Sequence, residues 1–146
     1  FDPSRSSISF ADISQTLNGT NKFCGAVTMS NDLVIFAPYD ADGVGLFDAP
    51  TSAFWSVDVT DNVNIGNKFS GAALAGHDLV VFAPSAATGV GVFNAATARF
   101  TYTDISMTVS TASKFCGAAT ASNGQKPDCY LRSPRGVSLP RSAKAP

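Results

Sequence analysis

Apolar and polar positions along the chain fall into short runs punctuated by turn residues. Leu33-Val34-Ile35-Phe36-Ala37 is an apolar run closed by Pro38, and Leu79-Val80-Val81-Phe82-Ala83 is another closed by Pro84. A run of that length ending in a turn signal predicts a buried strand. Further on, Phe100, Tyr102 and Asp104 alternate with Thr101, Thr103 and Ile105, which places the two sets on opposite faces of a strand. The same reading along the chain predicts strands at 23–29, 33–37, 44–47 and 53–59, and again at 69–75, 79–83, 90–93 and 99–105. Turns fall between them, at Asn31-Asp32, at Gly76-His77-Asp78, and at the Asp-Gly and Thr-Gly pairs that end in Gly43 and Gly89.

The second set of four copies the first. Lys22-Phe23-Cys24-Gly25-Ala26 returns as Lys68-Phe69-Ser70-Gly71-Ala72 and as Lys114-Phe115-Cys116-Gly117-Ala118, each 46 residues after the last. Gly43-Val44-Gly45-Leu46-Phe47 returns as Gly89-Val90-Gly91-Val92-Phe93. Four short strands in a repeat of this length match the size of a β-propeller blade and exclude a helical solenoid. The expected fold is all-β, with blades of four antiparallel strands in an incomplete propeller of about 2.5–3 blades, where closure takes about four to eight. Residues 1–21 are the second half of a blade, 22–67 and 68–113 are full blades, and 114–123 begin a further one. A fourth strand is expected near 8–13.

The third copy breaks soon after Asn123-Gly124. Asp128-Cys129-Tyr130-Leu131-Arg132-Ser133-Pro134 reads as a degraded second strand. Against that, Pro127, Pro134, Pro140 and Pro146 sit among Arg, Ser and Lys, a composition that usually fails to pack. Residues 124–146 are therefore expected to form an irregular basic tail, the altered or truncated end of a longer protein.

The pattern Lys-Phe-x-Gly-Ala, Leu-Val-x-Phe-Ala-Pro, Gly-Val-Gly-x-Phe resembles the blade repeats of β-propeller proteins. It is most similar to tandem-repeat propellers of unicellular algae and protists, in which a Phe-x-Gly-Ala strand precedes a Phe-Ala-Pro strand. The likeness to NHL-type, kelch-type and lyase-type propellers is looser. The Trp-Asp and Gly-His signature of WD40 blades is missing, as are the paired glycines of kelch blades. The resemblance spans about residues 1–123 and implies architecture without a catalytic motif.

Composition fits strands and turns: there is no Glu, and Gly, Ala, Ser, Thr, Val and Phe are plentiful. No apolar run approaches the ~18–20 residues needed to span a bilayer as a helix, so no membrane partner is expected. The net charge of −1 hides a division. Residues 1–123 carry ten Asp against five basic side chains, whereas 124–146 carry five basic side chains against Asp128. A short basic end is more often solvated than a nucleic-acid site, and no nucleic-acid partner is expected. Cys24, Cys116 and Cys129 form no Cys-x-x-C, which leaves zinc and thioredoxin-like chemistry without support. Phe1-Asp2-Pro3-Ser4 is not expected to be a signal peptide, and Asn18-Gly19-Thr20 is a lone glycosylation sequon.

Residues present in every copy are first of all packing residues. Phe23, Phe69 and Phe115 are expected between neighbouring blades, with Phe36, Phe82, Phe47 and Phe93 in the adjacent layer. Gly25, Gly71 and Gly117 suit a strand near a crowded axis, where a Cβ would obstruct close approach. Lys22, Lys68 and Lys114 are expected to pair at blade junctions with Asp12, Asp58 and Asp104, to be solvated, or to ring a channel mouth and favour an anion.

Binding is sought where copies differ, because a ligand makes unequal demands on blades. Tyr39, Asp40 and Asp42 face Ser85-Ala86-Ala87-Thr88 in the next copy, Trp55 faces Thr101, and His77 faces Asn31. These five are the candidate ligand-binding residues. Their spacing is not that of a Ca²⁺ loop, and no G-x-S-x-G, H-E-x-x-H or P-loop pattern occurs. No catalytic residue, cofactor or metal is expected. The leading reading is a non-catalytic propeller fragment that binds or scaffolds a protein or small ligand, by fold-level analogy. Its expected partner is another protein, or a second copy that completes the propeller. The alternatives are a fragment of a metal-dependent propeller lyase or hydrolase built on Asp and His77, and an incomplete gene product without independent function.

Overall fold

The computed structural model describes residues 10–121 and 128–132. Ten strands and no helix occur among them. Strands β1 (Phe23–Thr28), β2 (Leu33–Pro38), β3 (Gly43–Asp48) and β4 (Ala53–Asp58) form one antiparallel sheet in sequential order. Strands β5 (Phe69–Leu74), β6 (Leu79–Pro84), β7 (Gly89–Asn94) and β8 (Arg99–Asp104) form a second sheet in the same order. A third, two-stranded sheet joins β9 (Gly117–Ala121) to β10 (Asp128–Arg132). All eight strands expected from the apolar pattern are present, and their ends differ from it by one residue. No closure of the sheets into a ring or barrel is seen among the described residues.

Two expectations change. Asp128–Arg132, assigned to an irregular tail, is a strand antiparallel to β9; pairing of backbone groups overrides the Pro-rich composition around it. The remainder of 124–146 lies outside the described residues, apart from that strand. The fourth strand expected near 8–13 is not formed over 10–13, and 1–9 lie outside the described residues.

The two large sheets repeat each other in detail. Phe23 pairs with Pro38 and Ala26 with Phe36, which leaves a bulge between them; Phe69, Pro84, Ala72 and Phe82 repeat it. Cross-strand neighbours share a face. In the first sheet Val34, Phe36, Gly45, Phe47 and Phe54 lie on one face, and Ile35, Val44, Leu46 and Val57 on the other. The sheets stack. Ile35, Val44 and Leu46 belong to one core with Phe69, Val80, Phe82, Phe93 and Phe100 of the second sheet. Burying each large side chain contributes ~1.5–3 kcal/mol, so this seam is the main source of cohesion between sheets.

Within each sheet three Phe rings cluster. Phe23, Phe36 and Phe54 have centroids 5.3–6.5 Å apart. Phe69, Phe82 and Phe100 repeat the arrangement at 5.6–6.4 Å. Phe36 and Phe82 therefore pack with the first-strand Phe of their own sheet. The ring of Phe23 lies over Gly45, where a Cβ would come within 2.6 Å of it.

Candidate functional site

The seam between sheets is built from backbone before side chains. Lys22 C=O accepts the N–H groups of Tyr39 and Ala41, and Tyr39 C=O accepts the N–H of Lys68 at 2.8 Å. One repeat on, Lys68 C=O accepts Ser85 N–H, and Ser85 C=O accepts Lys114 N–H. The β2–β3 loop of each sheet thus links its own first strand to that of the next sheet. The lysines continue the link. Lys68 is 1% exposed and its Nζ donates to Ala41 C=O at 3.0 Å. Lys114 is 6% exposed and donates to Ala86 C=O at 3.3 Å. Burial lowers the Lys68 ammonium's pKa, opposed by the negative charges of Asp42 and Asp40.

This corrects the expectation for the lysines. Lys68 and Lys114 are buried, not solvated. The aspartates expected to pair with them act first as acceptors of backbone N–H groups, with the charge of Lys114 a lesser influence on Asp104. Asp12, Asp58 and Asp104 accept the N–H of Ser14, Thr60 and Ser106 respectively. Each thereby caps a single helical turn, closed by Leu17 N–H to Ile13 C=O, Val63 N–H to Val59 C=O and Val109 N–H to Ile105 C=O. Those bonds to backbone N–H hold all three carboxylates below their ordinary pKa. The signal was present as Asp-Ile/Val-Ser/Thr in every copy, a cap motif.

The five candidate ligand-binding residues do not converge. Tyr39, Asp40 and Asp42 lie in the β2–β3 loop, where Asp40 Oδ1 accepts Asn67 N–H at 2.8 Å. Both loops cradle the next lysine through a backbone carbonyl; the first differs in the Asp40 bond to Asn67 N–H and in the charges of Asp40 and Asp42 beside Lys68. His77 is exposed in the β5–β6 turn, at the opposite end of the sheets. Trp55 is on the outer strand β4, cross-strand from Leu46 and 41% exposed. Among the described residues no three His, Cys, Asp or Glu side chains gather where they could hold a metal ion.

A different surface emerges from comparing equivalent positions. Phe69, Val80, Phe82, Phe93 and Phe100 are buried in the second sheet. Their counterparts Phe23, Val34, Phe36, Phe47 and Phe54 are all half-buried. On the opposite faces the order reverses. Ile35, Val44 and Leu46 are buried, whereas Val81, Val90 and Val92 are half-buried. The chemistry is the same at each position, and only the presence of a covering sheet differs. The aromatic face of the first sheet and the aliphatic face of the second thus repeat the chemistry of the two halves of the internal seam, and each is incompletely covered.

The first strands of the three copies, β1, β5 and β9, approach through their glycines. A Cβ on Gly25 would come within 2.9 Å of Gly71 Cα, and one on Gly71 within 2.7 Å of Gly117 Cα. Ser70 Oγ donates to Phe115 C=O across the same line, and Thr120 Oγ1 to Leu74 C=O. Phe115 is buried where this third copy meets the second sheet. Phe54 and Phe100, the third member of each aromatic cluster, were not singled out from sequence, although their equal spacing from Phe23 and Phe69 marks them. Compared with protein-family models and with curated proteins, the sequence gives no match.

Proposed function

We propose that the chain is a run of β-propeller blades that serves as a non-catalytic binding or scaffold module. One observation carries this reading. Two four-stranded meanders stack face to face with equivalent first strands in glycine contact, the arrangement that radial repetition about a channel requires. In such a ring β1, β5 and β9 would face the channel, and the β2–β3 loops with the turns after β4 and β8 would form one of its rims. The unequal loop sequences on that rim would offer each partner a distinct surface, a use argued from fold-level analogy.

The test is a titration with Ca²⁺, Mn²⁺ and Zn²⁺ followed by thermal unfolding. A scaffold module shows no saturable stabilisation. Stabilisation that saturates at one equivalent and disappears in Asp40→Asn and Asp42→Asn would overturn the reading in favour of a metal-dependent enzyme.

A further inference from the structure

We propose that the aromatic face of the first sheet docks a second copy of this chain, head to tail, through the third-copy sheet β9–β10. The inference rests on the blade reading for its geometry, and three observations carry it. The head face, formed by Val34, Phe36, Phe47 and Phe54 with Phe23, is half-buried where its counterpart is fully covered by a preceding sheet. The covering surface it lacks is the far side of a repeat unit, of which the third copy supplies two strands, β9 and β10, among the described residues.

The glycine row points the same way. Gly25 abuts Gly71 and Gly71 abuts Gly117, but among the described residues a Cβ on Gly117 would meet nothing within 4 Å. The row is open at that end, in the position where Gly25 of a second copy would continue it. The lysines supply the third observation. Lys68 and Lys114 reach back to a carbonyl of the preceding sheet. Lys22, with no preceding sheet among the described residues, donates instead to Gly19 C=O, three residues away. In the docked pair its ammonium would be free to turn towards the copy in front.

The contact is heterologous, since head and tail are different surfaces. Such an interface either closes into a ring or propagates as a filament. Heterologous docking makes a prediction that a symmetric dimer does not. Gly117→Leu enters space that no described residue occupies, at a backbone outside the left-handed region, so it should fold normally and lose its tail contact. Val34→Asp places a charge on the head face. Each variant retains one working end.

The experiment is mass measurement by sedimentation across a range of concentration, with circular dichroism to verify folding. Wild type should rise above the single-chain mass as concentration increases. Gly117→Leu alone and Val34→Asp alone should remain at the single-chain mass. An equimolar mixture should form dimers and nothing larger, because only one head and one tail remain. Wild type that stays monomeric, or Gly117→Leu that associates like wild type, overturns the proposal. If Val34→Asp does not fold, the comparison of Gly117→Leu with wild type decides. Filaments in place of rings would keep the head-to-tail contact and refute the propeller reading, so the two fail separately.

Discussion

Lys68 shows how a charged side chain is used as a structural strut. Its stem crosses the seam and its ammonium donates to Ala41 C=O, with Asp40 and Asp42 near enough to offset part of the desolvation cost. Lys68→Met keeps the stem and removes the donor, leaving a buried carbonyl unpaired, and should cost about 1–3 kcal/mol in chemical denaturation. The sign of the pH effect follows from the lowered pKa. The unfolded chain binds the extra proton between the folded pKa and about 10.4, so wild type should gain stability relative to Lys68→Met as pH rises through that window. Asp58 works in the opposite range. Its folded pKa lies below the ordinary 3.8, so its contribution is present above that value and lost as pH falls through the folded pKa. Asp58→Ala should lower the unfolding midpoint at neutral pH and flatten the acid limb, whereas Asp58→Ser, which keeps a capping oxygen, should recover most of the neutral-pH loss.

Elements are specified at two levels here, and they were not equally legible. Strand positions could be read from runs such as Leu33–Ala37 because a Pro-terminated apolar segment has few other solutions. The repeat then fixed the sheet order by analogy of one copy with the other. What could not be read was the partner of each polar group. Lys68 and Asp58 recur together, and recurrence suggested an ion pair; in fact each satisfies a backbone group, Asp58 one that its cap motif marks and Lys68 one that no side-chain pattern reveals. The candidate ligand residues were read from differences between loops, and a difference can also serve the seam, as where Asp40 accepts Asn67 N–H. The glycines were legible in kind, as close-approach positions, but not in their inequality. Gly71→Ala places a methyl against Gly117 Cα and should destabilise by about 1–3 kcal/mol. Gly117→Ala should fall within about 0.5 kcal/mol of wild type. Denaturant midpoints of the two variants check both.

At the scale of the whole molecule, identical residues have unequal worth because the stack has ends. Phe69 is fully buried and Phe23 half-buried. Phe69→Ala should cost about 3–5 kcal/mol, and Phe23→Ala roughly half as much in dilute solution by the same scaling with burial. The difference should shrink as concentration rises, since docking would cover Phe23 as the first sheet covers Phe69. Apolar faces left open in this way promote association, and the internal seam supplies the pattern for it. The central claim is that one interface serves both within the chain and between chains, and that its repetition turns about an axis. Electron microscopy of the assembled wild-type protein tests this most directly. The account predicts closed rings of sheets around a central channel, with equivalent inner strands facing it at every position. Particles that remain single chains, or pair through a symmetric contact that leaves the Phe23–Phe36–Phe54 face uncovered, would contradict it.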